Sequence, residues 1–89
     1  MIKETVIVKN KTGIHARPAG VIVKTAGKYQ SNIELVYEGK TLKAKGIMGL
    51  LSAGIKGGSQ VDIICDGPDE NDAMNELKAL FNSGFGEEE

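Results

Sequence analysis

The sequence predicts an α+β fold: a two-layer, open-faced β-sandwich with a four-stranded antiparallel sheet and three helices on one face, in the order β-α-β-β-α-β-α. Three observations lead there. Four short segments alternate apolar and polar residues, three others carry one apolar stripe at helical spacing, and the two-residue turn Glu38-Gly39 joins the middle strands into a hairpin. The chain of 89 residues has no internal linker, repeat or low-complexity block, so it reads as one domain, 1–89, ending in a solvated acidic tail at 84–89. With no Trp, two Phe and two Tyr, the core must be mainly aliphatic.

Each element has its own signal. Thr5-Val6-Ile7-Val8 is a β-rich run closed by the turn residues Asn10-Lys11-Thr12-Gly13. A helix is expected over 16–28, where Ala19, Ile22, Val23 and Ala26 fall at i, i+3, i+4 and i+7. Ile33, Leu35 and Tyr37 then alternate with Glu34, Val36 and Glu38, as a half-buried strand should. Beyond the turn, residues 40–44 form the returning strand, with Leu42 and Ala44 facing the core. Residues 47–55 make a short helix, apolar at Ile47, Leu50 and Leu51. Gly57-Gly58 breaks the chain before the alternating strand 61–65. Asp69 is placed to cap a helix starting at Glu70, whose acidic residues Glu70 and Asp72 suit its positive end. Ala73, Leu77, Leu80 and Phe81 supply the buried stripe of that helix. Gly20, inside the first helix, costs about 1 kcal/mol against alanine, and close helix–sheet packing is the expected reason for it.

Composition narrows the function. A net charge of −1 leaves no electrostatic footprint for nucleic acid. The single cysteine, Cys65, forms no internal disulfide, which fits a reducing compartment. No stretch approaches the ~18–20 apolar residues of a membrane span, and the first residues lack a signal-peptide pattern. A cytoplasmic setting without membrane insertion is therefore expected. No second histidine, cysteine cluster or carboxylate pair sits at metal-ligand spacing, so zinc is disfavoured and no cofactor is expected. Nothing resembles a nucleophile elbow, which argues against a hydrolase.

What stands out is Gly13-Ile14-His15-Ala16-Arg17-Pro18. His15 is the only histidine, and Pro18 pins the helix start near it, because proline is tolerated only in a first turn. The amides of Ala16 and Arg17, with the positive end of the helix dipole, make a ready anion site. Arg17 adds a fork of donors suited to phosphate oxygens. The nucleophile must be neutral imidazole, the form that an unperturbed imidazole mostly takes at pH 7. The positive surroundings are suited to hold the phosphate dianion after transfer. Helix-end electrostatics contribute roughly 0.3–2 kcal/mol, enough to tune a carrier without trapping its cargo. The competing reading is an exposed capping or packing histidine.

Gly13-Ile14-His15-Ala16-Arg17-Pro18-Ala19 resembles the active-centre signature of HPr, the histidine phosphocarrier family of the bacterial phosphoenolpyruvate:sugar phosphotransferase system. The segments 45–52 and 67–73 are similar to two further signatures, so the likeness spans nearly the whole chain. It implies that Enzyme I, charged from phosphoenolpyruvate, phosphorylates His15 on Nδ1. Arg17 would pair with the phosphoryl group, and a sugar-specific IIA domain would receive it. Such a protein is a phosphotransfer intermediate rather than a stand-alone enzyme. It also implies that Ile47, Met48 and Leu51 form a docking patch, with Leu50 kept for the core. The alternative is that all four are core residues. Lys24 and Lys28 either complement acidic partners or form an ordinary solvated face. A monomer is expected, since partners must dock in turn on one small face.

One departure is Gly46, which stands where many Gram-positive members carry a regulatory serine. Glycine has no hydroxyl, so kinase control at that position is not expected, and Ser52 is no substitute. Two readings therefore stand beside sugar uptake. One is a regulatory or nitrogen-branch HPr paralogue. The other, which the intact His15, Arg17 and Pro18 argue against, is a binding module that is never phosphorylated.

Overall fold

In chain order the protein forms β1 (Ile2–Ile7), α1 (Ala16–Ala26), β2 (Asn32–Tyr37), β3 (Lys40–Lys43), α2 (Ile47–Ser52), β4 (Gln60–Asp66) and α3 (Glu70–Asn82), then a closing 3₁₀ turn, Gly84–Gly86. This arrangement is that of a computed structural model, which describes residues 1–86. The strands make one antiparallel sheet in the order β1-β4-β2-β3. The period-two pattern sets the register. Ile2, Cys65 and Ile33 lie across one row, and Glu4, Ile63, Leu35 and Leu42 across the next. These rows, with Val6, Val61 and Tyr37, line the covered face, whereas Lys3, Thr5, Ile7, Asp62 and Glu34 point to the open one. On the open face Thr5 donates to Asp62 at 2.6 Å across the β1–β4 pair.

The covered face packs against the helices. Ala19, Ile22 and Ala26 of α1 and Ala73, Met74, Leu77 and Phe81 of α3 join the strand residues in one aliphatic core. Glu4 lies at the edge of that face, where Lys78 of α3 meets it at 2.7 Å. Between β2 and β3, Tyr37 pairs with Lys40, and both turn residues have positive φ (Glu38 49°, Gly39 79°). That backbone follows the right-handed twist of a hairpin.

Several boundaries differ from the sequence reading, each for a local reason. Strand β1 runs from Ile2 because β4 extends to pair with it that far. Helix α1 stops at Ala26 rather than 28. Beyond it the amides of Lys28 and Tyr29 turn back to the Thr25 and Ala26 carbonyls, three residues away. Helix α2 stops at Ser52 rather than 55, because Ile55 leaves the helix to enter the core. In α3, Met74 is buried and Leu80 only half so. The largest correction is at the C-terminus. Gly84 and Phe85 are not solvated: Phe85 is 6% exposed and meets Phe81 edge to face, ring centroids 4.8 Å apart. The acidic part of the expected tail, residues 87–89, lies outside the described residues. Gly20 is not explained by close packing either, since a Cβ there would meet nothing within 4 Å.

Candidate functional site

The loop that presents His15 is held from both sides. Gly13 has φ +73°, and a Cβ on it would fall 2.3 Å from the Ile55 carbonyl oxygen. That close approach lets the Ile14 amide donate to Ile55 O at 2.9 Å, while the Ile14 side chain enters the core. The 55–59 segment grips the same loop further back. Gly57 presses so tightly on residues 10 and 11 that a Cβ would lie 2.4 Å from Lys11 O. Gly58 N–H donates to Val8 O at 2.7 Å, and Val8 N–H to Ser59 O at 2.9 Å. Asn10, 1% exposed, donates from Nδ2 to Gly13 O at 2.7 Å. The chain therefore reaches position 15 as a braced turn.

His15 occupies the N-cap position of α1 with extended backbone, and its side chain makes no capping hydrogen bond. The imidazole is exposed. The capping reading of this histidine is thus set aside by the geometry. The first helical bond runs from Ala19 N–H to His15 O at 2.9 Å. The amides of Ala16 and Arg17 consequently lie outside the ladder of α1, and Pro18 has none to contribute. Arg17 is exposed on that first turn, which contains no acidic residue. Beside it opens a shallow cleft of about 610 Å³ whose lining includes Lys11, Thr12, His15, Ala16, Leu51 and Lys56. Arg17 is not among the residues that line the cleft.

The second cluster divides as the helical spacing suggests. Leu50 is fully buried, whereas Met48 is 71% exposed, Ile47 39% and Leu51 37%. Leu51 links this apolar surface to the cleft that contains His15, and α2 packs on α1. Lys24 is exposed in the last turn of α1. Lys28 lies beyond the helix and pairs with Glu76 of α3 at 2.6 Å. It remains solvent-exposed, in keeping with its default reading as part of a solvated face. Gly46 has ordinary backbone angles (φ −112°), and a Cβ there would sit 3.6 Å from Lys43 O, in normal contact. Neither strain nor space demands glycine at that position.

Charge is distributed unevenly, a signal that the net value of −1 conceals. Residues 5–33 and 39–61 contain no Asp or Glu, yet they hold every Lys and Arg except Lys3 and Lys78. These segments carry α1, α2 and both loops of the cleft. Among the described residues, the acids lie on or directly beside the strands and α3. There Asp69 occupies the N-cap position of α3, but its side chain does not cap that helix. It accepts instead from the amides of Gln30 and Ser31, at 2.8 and 2.9 Å, and from the Ser31 hydroxyl. These bonds, that from the Ser31 hydroxyl foremost, hold the Asp69 carboxyl below its ordinary pKa. Glu76 is similarly lowered by Lys28 and by the Tyr29 hydroxyl, which donates to it. Burial pushes the Cys65 thiol up to about 11, which leaves it an inert core group. Among the described residues no group of three His, Cys, Asp or Glu is arranged to hold a metal ion, and no helix is long and apolar enough to cross a membrane.

Lys11, Thr12 and Lys56 were not singled out in the sequence. Their membership of the cleft depends on two loops, more than forty residues apart in the case of Lys11 and Lys56, meeting through glycine backbone. The absence of acids from both segments was a readable clue.

Comparison with known proteins gives concordant matches. The family model described as "PTS HPr component phosphorylation site" matches residues 2–83. Phosphocarrier protein HPr of Treponema pallidum (strain Nichols) is 40% identical over 88 residues, 99% of this chain and 100% of that protein. The crystal structure of HPr-C-His from Thermoanaerobacter tengcongensis superposes with a TM-score of 0.95 at 44% identity, covering 100% of both chains. That of the phosphocarrier protein HPr from Bacillus anthracis str. Ames gives a TM-score of 0.86 at 36% identity, covering 90% of this chain and 95% of the other.

Proposed function

Because the chain belongs to the PTS HPr family of phosphocarriers, we propose that His15 is its phosphoryl acceptor and that the first turn of α1 holds the group between donor and recipient. The observation that carries this reading is an exposed imidazole at the N-cap of an eleven-residue helix, committed to no cap and set among cations. The lone pair of Nδ1 attacks phosphorus as the bond to the donor breaks. Handing on reverses the step, with the P–N bond to His15 breaking as the recipient's bond forms. The Ala16 and Arg17 amides and the Arg17 guanidinium offset the charge of the transferring group. Membership of the family implies partners within the phosphotransferase system. We take Enzyme I as donor and IIA domains as recipients, with Ile47, Met48 and Leu51 as the docking patch, Lys24 at its rim, and a monomer as the working form. A cytoplasmic setting suits these partners.

The test is phosphotransfer read by intact mass. With phosphoenolpyruvate, magnesium and a bacterial Enzyme I, the protein should gain one acid-labile phosphate, and His15→Ala none. Met48→Ser should still be phosphorylated but with a KM for Enzyme I raised about tenfold. A gain that survives His15→Ala would refute the assignment.

Gly46 favours a second reading, control rather than uptake, because neither its backbone nor its surroundings call for glycine. Transfer from the phosphorylated protein to IIA domains separates the two. Efficient transfer supports sugar uptake, whereas phosphorylation without transfer supports the regulatory or nitrogen-branch paralogue.

A further inference from the structure

We propose that Lys56 is a phosphoryl-stabilising residue, a second cation that faces the group on His15 from across the cleft. The inference rests on His15 being the acceptor and goes beyond the first turn of α1. Among the described residues, the titratable side chains that line this cleft are Lys11, His15 and Lys56. Arg17 is not among the lining residues, so a phosphoryl group that turns into the cleft meets the ammonium groups of Lys11 and Lys56 there.

The backbone fixes Lys56 in place. On one side Ile55 O accepts from Ile14, the residue before His15, and the Ile55 side chain is buried. On the other side Gly57 lies against the backbone of residues 10 and 11, and Gly58 is bonded to Val8. With its neighbours anchored to the loop that presents His15, the Cα of Lys56 keeps a set position relative to the imidazole. A flexible stem then suffices to bring a point charge to the phosphoryl oxygens. Lys56 forms and breaks no covalent bond. It favours the dianion over the monoanion of the phosphorylated imidazole and slows loss of the group to water.

The experiment uses the full chain, phosphorylated with phosphoenolpyruvate, magnesium and Enzyme I, then separated from the enzyme. A ³¹P titration of wild type, Lys56→Gln and Lys56→Arg reads the phosphoryl group directly, with no docking partner present. One ammonium at about 6–8 Å through water lowers the titration midpoint by about 0.3–0.5 unit. Lys56→Gln should therefore raise it by that amount, Lys56→Arg should restore it, and about 1 M salt should remove most of the difference. Superimposable curves for wild type and Lys56→Gln overturn the proposal. So does an altered KM for Enzyme I with an unchanged midpoint, which makes Lys56 a docking charge. If the wild type takes up no phosphate, the reading of His15 itself has failed, an outcome seen before any comparison of variants.

Discussion

A phosphoryl carrier needs an imidazole that is accessible, neutral when it attacks, and surrounded by enough positive charge to hold a dianion briefly. On the proposed reading, the position of His15 supplies the access and part of the positive charge. The N-cap site keeps the ring outside the helix, the extended backbone turns it to solvent, and the next two amides lie outside the helical ladder. The residue that most departs from its sequence reading is Asp69. Its position is that of a helix cap, yet its carboxylate binds the turn between α1 and β2. The two roles share one residue type, because a short carboxylate accepts whichever amides come close. Only the fold brings residues 30 and 31 to position 69. This bonding has a consequence for acid stability. The folded-state pKa of Asp69 is below its ordinary 3.8, and that of Glu76 below its ordinary 4.5. Their stabilisation is complete above the unfolded-state values and is lost as pH falls through the folded ones. The urea midpoint should drop between pH 7 and pH 3, and Asp69→Asn should reduce that drop, as measured by denaturant melts at the two pH values. An equal drop in the variant would assign acid sensitivity to other carboxylates.

The elements themselves were largely legible, since period two and period 3.6 survive wherever one face is buried. Leu50 and Met48 show this within α2, where helical spacing separates a fully buried side chain from an exposed one. Legibility failed where no period exists. Gly84-Phe85-Gly86 has neither repeat nor propensity, so the burial of Phe85 against Phe81 follows only from where α3 ends. Ile55 reads as a continuation of α2 and instead turns inward as a loop residue. The cleft was invisible for the same reason, since it lies between two loops joined by Gly13 and Gly57. Gly20 is a different case, for the open space around it shows a cost that packing does not repay. Gly20→Ala should stabilise the protein by about 1 kcal/mol and raise Tm by roughly 4–8 °C. Calorimetry would check this, and a lowered Tm would show a crowding that the backbone does not reveal.

Across the whole molecule, near-neutral charge conceals a dipolar layout. Among the described residues, α1, α2 and the loops around His15 carry cations without acids, while the acids lie on or beside α3 and the strands. A small domain has no deep cavity in which to hold a substrate, so it must present its chemistry on the surface and select partners by charge and by a flexible apolar contact. On the proposed reading, residues 47, 48 and 51 would offer that contact and the cations near position 15 the steering. If phosphate rests on His15 against the first turn of α1, the amides of that turn must sense it. Amide spectra of the ¹⁵N-labelled protein before and after phosphorylation test it most directly. Large, acid-reversible shifts are expected at Ala16 and Arg17, smaller ones in the 54–57 loop, and an otherwise unchanged fold. Shifts centred elsewhere, with Ala16 and Arg17 unmoved, would contradict it.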